Sequence, residues 1–381
     1  IMMTTTRSFW GTAPWDRSRI SSHASDVPHS IDVAIVGGGF TGCSAAYHLA
    51  RSGVPCVVLE AGDLGDGASG RTGGLVLEGT AVGALDGVES CISHLKSVVD
   101  DEHIDCDLRT PGCWEIEHRG SPSSRALPWR DDAKLIAVKR TVAGGTVEPA
   151  KLTAGLAEAA LRAGARICDH ARVREIRIGD PIEIVTERGE IRPNWVVVAA
   201  NAWIESLIHG LGNDLRSSLT FACATESLPD RTIDEIGLGE RIPFYTADLP
   251  YLWGRVTAEN RIIFGAGLLF GAPDDLENSG VGQDEFDRIL SDLRTRVGNL
   301  HPELANVRID HSWAGPIAFT RDAVPILGPH PRCPRIIISG AYAGHGVALS
   351  VRAGAMISAS IVDGDALPDW GSPARGVTRK A

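Results

Sequence analysis

Asp32-Val-Ala-Ile-Val-Gly-Gly-Gly-Phe-Thr-Gly42, closing on Val57-Val-Leu-Glu60, is the stretch that decides the fold. Val33 to Val36 is an uninterrupted apolar run, as a parallel strand covered on both faces requires. Gly37 allows a tight turn, Gly39 lets backbone approach a pyrophosphate, and Gly42 lets the following helix pack closely on the strand. Gly38, Phe40 and Thr41 complete the turn, so the phosphates of a dinucleotide would lie at the positive end of that helix. The strand before, the small-residue helix after (Cys43, Ser44, Ala45, Ala46) and the acid at the expected distance give this glycine pattern its context. Glu60, followed by Ala61, would accept hydrogen bonds from ribose hydroxyls and repel a 2′-phosphate. NADP is thereby disfavoured, and FAD and NAD remain.

Outward from this unit the composition is that of a water-soluble globular protein. The chain has 381 residues, 43% of them hydrophobic, enough for a large core divided between two domains. A net charge of -11 spread along the sequence, with no basic patch interleaved with aromatics, excludes electrostatic nucleic-acid binding. The eight cysteines form no C-x-x-C pair and no metal-ligand spacing, so no metal site is expected, and free buried thiols fit a reducing, cytoplasmic setting. The first thirty residues lack the apolar stretch of a signal peptide, and no run is long enough to span a bilayer.

Further along, 65–74 is a glycine-rich loop of the kind that wraps a ligand. A helix is expected over Gly87 to Asp101, and strands over Cys113 to Glu117 and Leu135 to Val138. Thr146-Val-Glu-Pro149 leads into a helix that Gly164 ends before a strand at Ala165 to Cys168. A hairpin (Ile182 to Val185 with Glu190 to Arg192) and a buried strand, Trp195 to Asn201, follow. Leu219 to Val256 and Arg261 to Leu269 read as strands separated by turns, Asp284 to Val297 as an amphipathic helix, and Arg335 to Ser339 as a strand. The turn Gly340 to Gly346 then opens a last helix near Val347. The expected fold class is therefore α/β with α+β: a discontinuous Rossmann-like nucleotide domain (30–80, 145–205, 329–368) and a second, mainly antiparallel substrate domain (81–144, 206–328). An N-terminal arm (1–29) and a C-terminal tail (369–381) flank them.

Several separated motifs together resemble the D-amino-acid-oxidase-like superfamily of FAD-dependent amine oxidoreductases, most closely its γ-glutamylputrescine oxidase and sarcosine oxidase-like branch. They are Val36 to Gly42, Ala68-Ser-Gly-Arg-Thr-Gly-Gly74, Gly145-Thr-Val-Glu-Pro149, Val196 to Trp203, Trp313-Ala-Gly-Pro with Phe319-Thr-Arg-Asp322 and Pro325-Ile-Leu-Gly328, and Gly344-His-Gly-Val-Ala-Leu-Ser350. The resemblance implies FAD rather than NAD. It implies pyrophosphate contacts from Gly37, Gly39 and Gly42 and ribose contacts from Glu60. Ser69, Gly70, Arg71, Thr72 and Gly73 would approach phosphates and flavin, Val147 would meet the adenine end through its backbone, and Ala200, Asn201 and Trp203 would lie nearby. Gly344, His345, Gly346 and Val347 would border the isoalloxazine, where a helix N-terminus favours the charge of a ring accepting hydride.

In such a family a neutral amine gives hydride to flavin and the imine hydrolyses; the electron acceptor is O2, a quinone or an electron-transfer protein. The arginines that hold carboxylate in D-amino-acid and glycine oxidases fall here on Ile317 and Val347, and the two lysines of sarcosine oxidase fall on Ala348 and near Ile263. Arg255 and Arg321 remain as carboxylate anchors, because a guanidinium matches two oxygens. Tyr251, Trp253 and Tyr342 remain as walls, the first two expected on one strand face, and His345 as the residue nearest the chemistry. No cysteine lies between Trp313 and Asp322, so FAD is expected to be noncovalent. The residue-level alternatives are an NAD-dependent dehydrogenase and a noncatalytic flavoprotein subunit or redox sensor.

Overall fold

In the computed structural model, which describes residues 8–16, 26–118, 125–211, 215–246 and 251–375, the strand Ser30–Val36 lies in the middle of a parallel sheet. Its neighbours are Gly189–Val198 on one side and Cys56–Leu59 on the other, with Arg166–Cys168 beyond the latter. Cys333–Gly340 continues the sheet beside Gly189–Val198, and Ile326–His330 pairs antiparallel at its edge. Burial on both faces explains the apolar runs: Val33, Ala34, Ile35, Val57, Val58, Val196 and Val197 are fully shielded from water.

Three helices, Phe40–Arg51, Pro149–Arg162 and Gly346–Val362, pack together through one apolar cluster with this sheet. Phe40–Arg51 and Gly346–Val362 approach closely because Gly354 faces Ala45 and Ser44, and Ser44 Oγ donates to the Val351 carbonyl at 2.7 Å. Pro149–Arg162 starts with proline at its first position and with Glu148 accepting from the amides of Ala150 and Lys151, so its N-terminus is self-sufficient.

A second sheet of nine strands runs Gly11–Thr12, Ile309–Phe319, Arg216–Thr225, Ile262–Phe270, Trp253–Val256, Phe244–Thr246, Cys113–His118, Lys134–Val142, Arg125–Asp131. All its pairs are antiparallel except Phe244–Thr246 with Cys113–His118. The helix Asp284–Leu300 buries Phe286, Ile289, Leu290 and Leu293 against one face, with Phe286 and Phe221 rings 4.9 Å apart. Alternation along Arg216–Thr225 then turns Thr220 and Ala222 to the opposite face, where they line a cavity.

Local expectations differ from this in identifiable ways. The hairpin and the strand expected at Trp195 are one strand, Gly189–Val198, which pairs first with Glu183–Thr186 and then, past Ile191, with Ser30–Val36. It stops at Val198, and Asn201–Trp203 is a single helical turn entered through Asn201 at φ 44°. The helix expected over Gly87 to Asp101 begins at Cys91. The tract from Leu219 to Val256 contains the helix Asp230–Glu235 between its strands. Tyr251 precedes the strand that begins at Trp253, so the two do not share a strand face. Return to the parallel sheet occurs at Ile326. Parts of the expected arm and tail, and 247–250, lie outside the described residues. Among the described residues no helix is long and apolar enough to cross a membrane.

Candidate active site

A cavity of about 590 Å³ opens between the C-terminal ends of the parallel strands and the inner face of the nine-stranded sheet. That position follows from topology: strands running in parallel leave a crevice beyond their carboxyl ends where the connections diverge. Here Ala199 and Asn201 after one strand and Tyr342 to Val347 after its neighbour both line the cavity. Asn201 Oδ1 ties these two turns together by accepting the Ala341 amide at 3.0 Å.

Two helix N-termini point into it. Phe40–Arg51 starts from Gly39 and Gly346–Val362 from His345, neither with a cap from its own N-cap side chain, so amides of their first turns, that of Phe40 excepted, are available to an anion or carbonyl. Room for that approach depends on missing side chains. A Cβ on Gly42 would stand 1.9 Å from the Gly37 carbonyl oxygen, and one on Gly37, at φ 106°, 2.7 Å from that of Ala199. Glu60 braces the same turn: its carboxylate accepts the Gly38 amide at 2.7 Å and the Gly62 amide at 3.0 Å, with acceptor capacity to spare.

The loop expected to wrap a ligand forms the floor. Ser69 Oγ accepts the Phe40 amide at 2.9 Å, and Ser69, Arg71, Thr72 and Gly73 line the cavity. Arg71 is 6% exposed and is held by Asp66, by the Gly11 carbonyl and by the Trp10 ring beneath it. Trp15 Nε1 donates to the Gly70 carbonyl at 2.8 Å, so the segment Phe9–Asp16 straps this loop down. Gly70 lies in the strap contact, while Val147 is tied to the loop through its amide to the Gly74 carbonyl. Ala61, Ala200 and Trp203 are not part of the lining, and Trp203 is stacked on Trp10 with ring centroids 6.3 Å apart.

Of the expected substrate-side residues, Tyr251, Trp253, Arg321, Tyr342 and His345 come together around the cavity. The Trp253 ring is clamped between Gly73 and Gly265, at each of which a Cβ would come within 2.0 Å of it. Tyr342 is fixed by Thr41 Oγ1 at 2.7 Å and Ser339 Oγ at 2.9 Å. Tyr251 hydroxyl donates to the Gly267 carbonyl at 3.0 Å and meets Thr220 Oγ1 at 2.7 Å; burial pushes its pKa up to about 12. His345 Nδ1 is buried with no hydrogen-bond partner among the described residues, and burial holds this imidazole below its ordinary pKa, hence neutral near pH 7.

Arg255 does not join them. Its Nε donates to the Gly73 carbonyl and it lines a separate cavity of about 300 Å³ with Glu148, Asp107 and Lys151, behind the loop. Reading the strand by alternation explains this: Trp253 and Arg255 share a side, but the loop at Gly73 and Gly74 intervenes between that arginine and the main cavity. Sequence reasoning missed Arg216, Thr220, Tyr245 and Phe270, all in the cavity wall. The alternation Arg216, Ser218, Thr220, Ala222 against Ser217, Leu219, Phe221, Cys223 was the available signal.

The residues present fit a flavin dinucleotide, with two uncapped helix starts, a glycine turn that side chains would fill, and an orphaned imidazole nitrogen on one cavity. Comparison with known proteins agrees. The family described as FAD dependent oxidoreductase (DAO) matches residues 32–360. The γ-glutamylputrescine oxidoreductase of Escherichia coli (strain K12) is 29% identical, the match covering 88% of this chain and 84% of that protein. Glycine oxidase of Bacillus subtilis (strain 168) is 22% identical over 89% of this chain and 95% of its own. The crystal structure of glycine oxidase from Geobacillus kaustophilus superposes with a TM-score of 0.73 at 20% identity, covering 92% of this chain and all of that one, and so shares the fold. The chain belongs to the DAO family of FAD-dependent oxidoreductases, whose named relatives act on amines and amino acids.

Proposed function

We propose that the protein oxidises a small amine that also carries a carboxylate, taking hydride from the carbon beside nitrogen and releasing an imine that water hydrolyses. The charge of the cavity wall carries this reading: Arg71, Arg216 and Arg321 line it, and among the described residues no aspartate, glutamate or lysine does. An ammonium ion meets an unfavourable potential there, whereas a neutral amine does not and a carboxylate is attracted.

FAD, when bound, supplies the hydride-accepting chemistry. The chain's own part is to orient and to keep water out. Tyr251 spends its proton on the Gly267 carbonyl, so toward the cavity it can only accept, which suits the N–H of an unprotonated amine. Trp253, Tyr245 and Leu268 supply an apolar wall for the carbon skeleton. Tyr245 stands edge-on to His345 with ring centroids 6.3 Å apart, so the imidazole is packed rather than solvated.

Anaerobic mixing of the purified protein with sarcosine, iminodiacetate and γ-glutamyl amines is expected to bleach the visible flavin band with at least one of them. Admission of air then separates oxygen from other acceptors by the speed of recolouring. If dithionite bleaches the band and no carboxylate-bearing amine does, the proposal fails. The flavin should also be noncovalent, since all eight cysteines are buried and none lines the cavity. Acid precipitation is expected to leave a colourless pellet and a yellow supernatant; a yellow pellet would refute noncovalent attachment.

A further inference from the structure

The register of the nine-stranded sheet orders the cavity wall from its floor to its mouth. Along Arg216–Thr225 the cross-strand partners on Ile309–Phe319 are Thr220 with Gly315, Ser218 with Ile317, and Arg216 with Phe319. Gly315 sits on the floor, where a Cβ would be 3.0 Å from Cβ of Arg71. Ile317 marks the next level: a Cβ on Gly344 would be 3.7 Å from its Cδ1, and the Ala343 amide donates to the Ala318 carbonyl at 3.1 Å. The uncapped start of Gly346–Val362 therefore faces the Ile317 level.

One step outward stand Arg216 and, two residues past Phe319, Arg321, both lining the cavity. Neither guanidinium has a hydrogen bond or ion pair among the described residues. The acid next in sequence, Asp322, is already engaged by Arg375 at 3.1 Å and Thr320 at 2.9 Å. Between the two levels the wall is apolar, with Phe270, 55% exposed, leaning on Phe319. Two exposed cations without an acidic partner among the described residues, beside the exposed Phe270 ring, offer complementary contacts to an anion with an apolar tail.

We infer that Arg216 and Arg321 hold the substrate's carboxylate at the mouth, so that the substrate is an amino acid whose reacting nitrogen is separated from its acid by an apolar spacer. Two residues of antiparallel strand span about 7 Å, the length of roughly six bonds in an extended chain. An α-amino acid or N-methylglycine places the two groups too close together to reach both levels. This inference rests on the amine-oxidising reading and refines it.

The test uses the holoenzyme with sarcosine, 6-(methylamino)hexanoate, and N-methylpentylamine, which has the same chain without the acid. The long amino acid is expected to be the best substrate. Arg216→Gln and Arg321→Gln should each raise its KM on the order of 30-fold, the loss of a charge-assisted hydrogen bond, with kcat nearly unchanged. Neither variant should show such a loss with N-methylpentylamine, which has no acid for the arginines to hold, and the lysine variants should recover part of the loss with the amino acid. Hexanoate, which cannot react, gives an independent reading through its perturbation of the flavin spectrum, and its Kd should rise by a similar factor. A preference for sarcosine, an equal loss on the acid-free amine, or unchanged hexanoate binding in the variants would overturn the inference. If hexanoate behaves as expected but no amine bleaches the flavin, the carboxylate site stands and the proposed reaction falls.

Discussion

Gly42→Ala is expected to yield a protein that purifies without its yellow colour. The added methyl would lie 1.9 Å from the Gly37 carbonyl oxygen and 3.1 Å from its carbon, and both are backbone atoms of the turn to which we assign the pyrophosphate. Overpacking costs about 1–3 kcal/mol where side chains can yield. Here the relief comes only from moving the helix Phe40–Arg51 away from the turn, which displaces the amides at its start from the cofactor. FAD affinity should fall on the order of 100-fold or more, since each 1.4 kcal/mol is tenfold. Gly53→Ala is the control: it lies after the same helix at φ 76° with no atom within 4 Å, so it should lose some stability to backbone strain and keep its flavin. The ratio of visible to ultraviolet absorbance after purification, followed by FAD titration of the apoprotein, decides the matter. A Gly42→Ala protein carrying a full complement of flavin would show that the turn does not hold the phosphates.

A second large effect is expected in mild acid. His48 and His94, both half-buried, stack with ring centroids 5.4 Å apart, and Nε2 of each is buried without a hydrogen bond among the described residues. Burial first, then His94, Arg51 and Arg352, hold the His48 pKa down from 6.5 to about 4, and burial lowers that of His94 as well. A histidine whose folded pKa lies below its unfolded one leaves the unfolded chain binding more protons in the interval between. The stability it contributes is thus fully present above pH 6.5, is lost as pH falls, and levels off below about pH 4. For His48 the gap corresponds to about 3 kcal/mol. Urea midpoints at pH 7.5, 6, 5 and 4.5 should fall accordingly, and His48→Leu should flatten the decline. An identical pH dependence in that variant would remove His48 from the account.

What was legible in the sequence was what neighbours in the chain can specify. The turn from Val36 to Gly42 announced itself because burial on both faces leaves only apolar residues, and because close backbone approach leaves only glycine. The ends of the strands that meet the cavity, near Asn201 and Gly344, were legible for the same reason. Arg216 was not, because its place in the cavity wall comes from pairing with Phe319, a hundred residues away, and nothing local distinguishes it from a surface arginine. Arg255 looked eligible by charge and strand position, yet the placement of Gly73 and Gly74 against it depends on a loop far away in sequence. The same holds for Gly11–Thr12: two residues carry no strand signal, and only the free edge of Ile309–Phe319 makes them one.

That last pairing bears on the order in which the molecule can be completed. Gly11 finds its partner at Trp313, and the loop it helps to secure through Arg71 touches Gly315. Residues around Gly11 must therefore wait for partners synthesised some three hundred positions later, and the turn at Gly344 comes later still. Contacts of such sequence separation form slowly and late. During translation the nascent chain can carry the glycine turn and its helix long before it carries a place to keep a cofactor, so acquisition of FAD must wait until the chain has been made past Gly344.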